Sequence, residues 1–233
     1  MKLTHMYVAG LFLVGAYSAQ AQDHRFASEN PKNPEVTEYW DPEIRVVTPG
    51  PIPSDAIILF DGKSLDNWES AKDGSPAKWK VADGKMTVVG KTGNISTKQK
   101  FTNYQLHIEW QSPIEPDTKK SQGKGNSGVF MQGMYEVQVL NSYNNRTYRN
   151  GQAGSIYKQS APMVNATSKM GEWNTYDIIY TAPKFTVNGG IDTPAYVTVM
   201  HNGVVVQNHT KIQGTTEYIG QPLNPVHGPG PIS

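Results

Sequence analysis

Residues 126–143, NSGVFMQGMYEVQVLNSY, decide how the chain is read, because apolar and polar side chains alternate through their second half. In an extended strand Tyr135, Val137 and Val139 face one way, while Glu136, Gln138 and Leu140 face the other. One face is then core. The other carries Glu136 and Gln138 side by side and is either wet or built for a ligand.

The same period recurs outward from this stretch. NYQLHIEWQS sets Tyr104, Leu106, Ile108 and Trp110 against Gln105, His107, Glu109 and Gln111. WKVADGKMTVVG predicts two strands joined at Asp83-Gly84, and AYVTVMHNGVVVQNHTKIQG predicts a hairpin closed by a His201-Asn202-Gly203 turn. AIILF, before Asp61-Gly62, reads as a short strand, and WNTYDIIYTAP as a longer one. No run of ten or more residues has a helical period. An all-β chain of short strands predicts two packed antiparallel sheets. SPIEPDTKKSQGKG, 112–125, reads as a mobile loop. Residues 142–172 are long for a plain connection, and Tyr143, Tyr148 and Tyr157 within them offer a sugar or another flat ligand both a ring face and a hydroxyl.

The ends bound the setting. Lys2, the apolar run from Tyr7 to Tyr17 and Ala19-Gln20-Ala21 predict a signal peptide over 1–21, with an uncut anchor as the alternative, and hence export to the periplasm or beyond. Residues 22–53, ending in TPGPIPSDA, read as a proline-rich arm whose Tyr39, Trp40, Ile44 and Val46 favour lying over the domain at 54–233. No later segment is apolar enough for a membrane span. Without the leader, 20 basic residues balance 20 acidic ones, which argues against a nucleic-acid partner. The absence of cysteine excludes disulfides, thiolate chemistry and sulfur-ligated zinc.

Glu109 and Glu136 are each the acidic member of an apolar alternation. If their strands share a sheet, both carboxylates point from one face, the equipment for acid and base work at a glycosidic bond; the competing reading is an ordinary solvent face. His107 shares Glu109's face about 7 Å away and is a candidate base or metal ligand, or simply a surface residue. Asn126 and Ser127 offer donors at the rim or form a turn, and Lys158 after Tyr157 is a candidate oxyanion partner or an exposed lysine. His201, His209 and His227 have no helical ligand spacing, and a divalent ion held by distant residues stays open.

LFDGKSLDNW, GNISTKQKFTNYQLHIEW, GNSGVFMQGMYEVQVLNSY, GSIYKQSAP, GEWNTYDIIY and VMHNGVVV stand in an order that resembles the bacterial 3-keto-disaccharide hydrolase domain family over about 54–231. The resemblance implies a concanavalin A-like jelly roll acting on glycosides oxidised at C3. Its pocket would be the concave sheet bearing Glu109, Glu136 and Gln138, rimmed by Asn126, Ser127, Tyr157 and Lys158. Glu136 takes the strand position from which related glucanases present carboxylates, but the second position is Gln138. A ketone at C3 acidifies the C2 proton, so one base suffices to expel the aglycone, after which water adds across the double bond. Glu136 is then the expected base, Glu109 or His107 the acid, and Lys158, Tyr157 or a metal ion the oxyanion partner. Members continue past Gly230-Pro231-Ile232 into a final strand, so the resemblance implies that this strand is missing here or supplied by a partner chain. A carbohydrate-binding module without catalysis, or a structural scaffold, remains the alternative on such a fold.

Overall fold

The computed structural model describes residues 34–233 apart from 39 and 117; the expected signal peptide, residues 22–33 of the arm and Tyr39 lie outside the described residues. Two compact units divide after Ala56. In the first, a 3-10 turn spans Pro34–Thr37, Ser54 and Thr48 bond each other, and Arg45 reaches Asp55 at 2.6 Å, an exposed pair of small energetic weight.

Among its described residues the second unit is all β. Its strands are β1 (Trp68–Ser70), β2 (Lys80–Ala82), β3 (Lys85–Thr87), β4 (Ile95–Thr97), β5 (Tyr104–Gln111), β6 (Ser127–Met131), β7 (Tyr135–Val139), β8 (Trp173–Thr181), β9 (Lys184–Phe185), β10 (Ile191–Thr193), β11 (Tyr196–His201) and β12 (Val204–Lys211). Every pairing is antiparallel: β1 with β4, β2 with β3, β6 with β7, β9 with β10, and a four-stranded sheet in the order β12-β11-β8-β5. Two-residue turns close two hairpins as expected. Asp83-Gly84 (φ 52° and 71°) and Asn202-Gly203 (φ 51° and 76°) are left-handed at both positions, the twist that antiparallel neighbours need. No helix among the described residues is long and apolar enough to cross a membrane.

Backbone bonds outside the named strands widen the β6–β7 pair. Phe130 exchanges two bonds with Ser233, at 2.8 and 3.1 Å, and Thr97 N–H donates to Ile232 O at 2.8 Å, so the last residues fill the gap between β6 and β4. On the opposite edge of β7, Gln138 N–H donates to Ser155 O, Gly154 N–H to Gln138 O and Tyr157 N–H to Glu136 O, at 2.9–3.1 Å. Leu106, Trp110, Tyr176, Ile178, Val197 and Val199 of the four-stranded sheet join Val129, Met131, Tyr135, Val137 and Val139 of β6 and β7 in one buried cluster. Burying such side chains contributes roughly 1.5–3 kcal/mol each.

Two expectations are corrected. Residues 56–60 form no strand: the Leu59 carbonyl accepts from the Trp68 indole at 2.8 Å and the Ile58 carbonyl from Asn67, and Ile57 and Ile58 are exposed. Within the 112–125 excursion Glu115 accepts from Gly125 N–H at 2.7 Å and pairs with Lys119 at 2.6 Å. His201 is no turn residue; it ends β11 in the core, fully buried, against Trp110 and Tyr176.

His201 gives the core a pH dependence. Its Nε2–H donates to Asn174 Oδ1 at 3.0 Å and its Nδ1 has no partner among the described residues, so a proton there would be a buried charge without an acceptor. Burial accordingly lowers its pKa from 6.5 to about 4. Between those values the unfolded chain binds the proton and the folded chain does not, so stability is complete above the window and falls as pH falls through it. Denaturation of the parent and of His201→Gln from pH 7 to 4 should show the parent losing about 3 kcal/mol relative to the variant; a pH-independent difference would contradict this account.

Candidate active site

β7 is buried along its whole length, on both faces. Tyr135 and Val137 pack into the core, where the Tyr135 ring lies 6.2 Å from that of Tyr180. Glu136 and Gln138 project from the opposite face, as the alternation requires. Gln122, Tyr148, Tyr157, Lys158, Thr216 and Tyr218, all from loop segments, supply the groups around this face.

The register with β6 explains why Glu136 is desolvated. Phe130 and Glu136 are direct partners whose backbone groups point away from each other, to Ser233 on one side and to Tyr157 and Thr216 on the other. Such pairs bring side chains closest, so an aromatic ring is the carboxylate's cross-strand neighbour. On its other side lies Gly128. A Cβ there would sit 2.7 Å from Glu136 Cγ and 2.8 Å from Cδ, so the glycine is the space that the carboxyl occupies. Glu136 is 8% exposed, its carboxyl has no hydrogen-bond partner among the described residues, and burial pushes its pKa up to about 7. A carboxyl held at that value exists in both forms near neutrality, which suits it to take and return a proton.

Gln138, 1% exposed, anchors an amide chain. Its Nε2 donates to Gln122 Oε1 at 3.0 Å, Gln122 Nε2 donates to Gly151 O at 2.8 Å and Thr147 Oγ1 at 3.0 Å, and Asn126 Nδ2 reaches Gln122 Oε1 at 3.4 Å. Asn126 and Ser127 are exposed where the chain enters β6. Tyr157 is 8% exposed and its hydroxyl lies 2.6 Å from that of Tyr148. Lys158 follows with left-handed backbone, φ 64°, a strained conformation for a lysine. Its Nζ stands 4.9 Å from the Tyr148 ring centre and 5.4 Å from that of Tyr218.

The structure therefore brings Glu136, Gln138, Asn126, Tyr157 and Lys158 to one region; Ser127 pairs with Val139 and shares its strand face with the core-side Val129 and Met131, so it is not on the face of Glu136, and Glu109 and His107 are not brought there either. β5 and β7 belong to different sheets, so the shared sheet expected for Glu109 and Glu136 is absent. Leu106 and Trp110 turn β5's other face into the core, leaving His107 and Glu109 exposed, with His107 Nδ1 2.7 Å from Asp177 Oδ1 on β8. Gln122, Tyr218 and Thr216, whose hydroxyl accepts from Glu136 N–H at 2.9 Å, escaped the sequence reading because they lie in loops without period. Gly128 did carry a signal, a glycine inside a strand pattern, which marks close approach. No three His, Asp or Glu side chains converge among the described residues.

Residues 55–233 match the family model described as a 3-keto-alpha-glucoside-1,2-lyase-like domain. A crystal structure of a candidate glycosyl hydrolase from Parabacteroides distasonis ATCC 8503 is 58% identical, with a TM-score of 0.80 over 86% of this chain and 87% of that one. A second structure of the same description and organism, 19% identical with a TM-score of 0.50 over 74% of this chain and 87% of that one, bears on the fold alone. A 3-keto-disaccharide hydrolase of Bacteroides thetaiotaomicron is 28% identical over 165 residues, 55% of this chain and 54% of the relative, so the chain matches about half the length of that curated protein. With the family model covering the whole strand-bearing unit, this chain belongs to the 3-keto-alpha-glucoside-1,2-lyase-like domain family.

Proposed function

We propose that this chain is an exported hydrolase or lyase of 3-keto-glycosides, built on a two-sheet jelly roll, with Glu136 as the base. The observation that carries the reading is the desolvated carboxyl of Glu136, raised to about 7, on a face rimmed by tyrosines and a lysine. A binding module has no use for a carboxyl tuned in this way. The jelly roll is supported by the core shared between the four-stranded sheet and the widened β6–β7 layer, and the substrate class by family membership and the name of the curated relative. Export rests on the leader pattern in the sequence.

The chemistry follows from one base. A ketone at C3 acidifies the proton on C2. Glu136 takes that proton, the electron pair forms the C1–C2 double bond, and the C1–oxygen bond breaks with the aglycone oxygen leaving. Water then adds its oxygen to C1, and C2 regains a proton. Charge on the C3 oxygen builds up in the first step, and the Lys158 ammonium, held over two tyrosine rings, is the cation available to it. Gln138 and the Gln122 amide fix the floor of the site.

The reading is tested by incubating the purified protein with a 3-keto-glucoside and following 3-keto-glucose or the unsaturated intermediate. Glu136→Gln should lower kcat/KM by about 10²–10⁴-fold. In the parent, kcat/KM should rise with pH up to about 7 and level off, because only the ionised carboxylate accepts the proton. A folded parent that binds the sugar and releases nothing would make the chain a binding module.

Gly128→Ala should act on the same step without touching the reacting atoms. Its methyl group would enter the carboxyl's space, costing about 1–3 kcal/mol of stability by overpacking and reducing kcat more than it raises KM. Full activity in this variant would show that the carboxyl's position is not fixed by the glycine.

A further inference from the structure

We propose that Tyr148 is the proton donor to the departing aglycone oxygen, an assignment that rests on the 3-keto-glycoside reading of the Glu136 site. Elimination leaves an alkoxide unless a donor meets the oxygen as the bond breaks. Glu136 is committed to C2, and Glu109 and His107 stand on the other sheet. Glu115 is held by Gly125 and Lys119, and Glu217 accepts from the Thr215 hydroxyl at 2.8 Å. Among these described residues no free carboxyl is left to serve as the acid.

Tyr148 is held as such a donor would be. Its ring lies flat against Gly151, where a Cβ would fall 2.6 Å from Cδ2 and 2.7 Å from Cζ, so the glycine makes room for the ring. Its hydroxyl is 2.6 Å from the Tyr157 hydroxyl, and the residue remains 37% exposed and reachable by a ligand. Desolvation first, then the bond to Tyr157, then more weakly the Glu136 charge hold this hydroxyl above its ordinary value, so it is protonated throughout the range in which Glu136 ionises. A phenol also suits the partner. An ordinary phenol loses its proton near 10, far nearer to an alcohol than a carboxylic acid is.

The protons balance. As the C1–oxygen bond breaks, the aglycone oxygen takes the Tyr148 proton, and the phenolate lies beneath the Lys158 ammonium. In the hydration step water bonds to C1 through oxygen and returns a proton to Tyr148, while Glu136 returns its proton to C2. One water is consumed and both side chains are restored.

The test is a comparison of leaving groups. Steady-state rates of the parent, Tyr148→Phe and Glu217→Gln are measured on methyl and 4-nitrophenyl 3-keto-glucosides, with thermal melts to confirm that each variant is folded. We expect Tyr148→Phe to lose about 10²-fold or more in kcat on the methyl glycoside, whose alkoxide needs a proton, and to stay near the parent on the nitrophenyl glycoside, whose phenolate leaves unaided. Glu217→Gln should match the parent on both. An equal loss on both substrates, no loss on the methyl glycoside, or a selective loss in Glu217→Gln instead would overturn the assignment while leaving the Glu136 reading in place. A folded parent that releases neither aglycone would overturn both.

Discussion

Strand β7 is bonded along both edges and covered on both faces, and the site depends on that confinement. β6 holds one edge and the Gly154–Tyr157 segment the other, while the Tyr176 hydroxyl reaches across from the four-stranded sheet to the Gln138 carbonyl at 2.7 Å. That last bond ties the core side of the strand to a polar group that would otherwise be stranded in an apolar layer. With its backbone satisfied on every side, β7 has one register, and a one-residue slip would turn Glu136 into the core and Val137 out of it. The carboxyl's desolvation therefore follows from the pairing of the sheet.

The parts legible in the sequence were those in which local chemistry and tertiary packing agree. Alternation placed β5, β7, β8 and β11, and Asp83-Gly84 and Asn202-Gly203 marked turns that only left-handed backbone can make. AIILF failed because its carbonyls go to the Trp68 indole and the Asn67 amide, so an apolar run became an exposed segment braced by side chains. His201 failed for the opposite reason: a polar residue beside a turn signal proved to be core, carried by a side-chain network through Asn174 that no local pattern announces.

The site shows the same divide. Glu136 and Gln138 were visible because a strand's period isolates them from their apolar neighbours, and Glu109 and His107 looked identical for that reason. Period 2 specifies which residues share a strand face; it does not specify which sheet the strand joins or what covers it. β5 gives its polar face to solvent and β7 gives its polar face to loops. Two glutamates of equal local pattern thus end in opposite environments, and burial raises the pKa of Glu136.

That asymmetry favours one kind of chemistry over another. Direct displacement at an ordinary glycosidic bond uses two carboxyl groups, about 5–5.5 Å apart for retention or 6.5–9.5 Å for inversion. Gln138 stands next to Glu136 on the same strand face, an amide that neither donates as an acid nor attacks as a nucleophile, and Glu109 lies on another sheet. A site with one tuned carboxyl, a fixed amide floor and a cation over tyrosine rings has no second carboxyl on that strand face, which supports the proposed proton abstraction beside a carbonyl: that step needs a base near neutrality and a positive charge for the oxygen. Replacing the second carboxylate by glutamine also removes a like charge that would otherwise act on Glu136. The carboxyl's tuning then rests on burial alone, and burial is what Phe130, Gly128 and the enclosing loops provide.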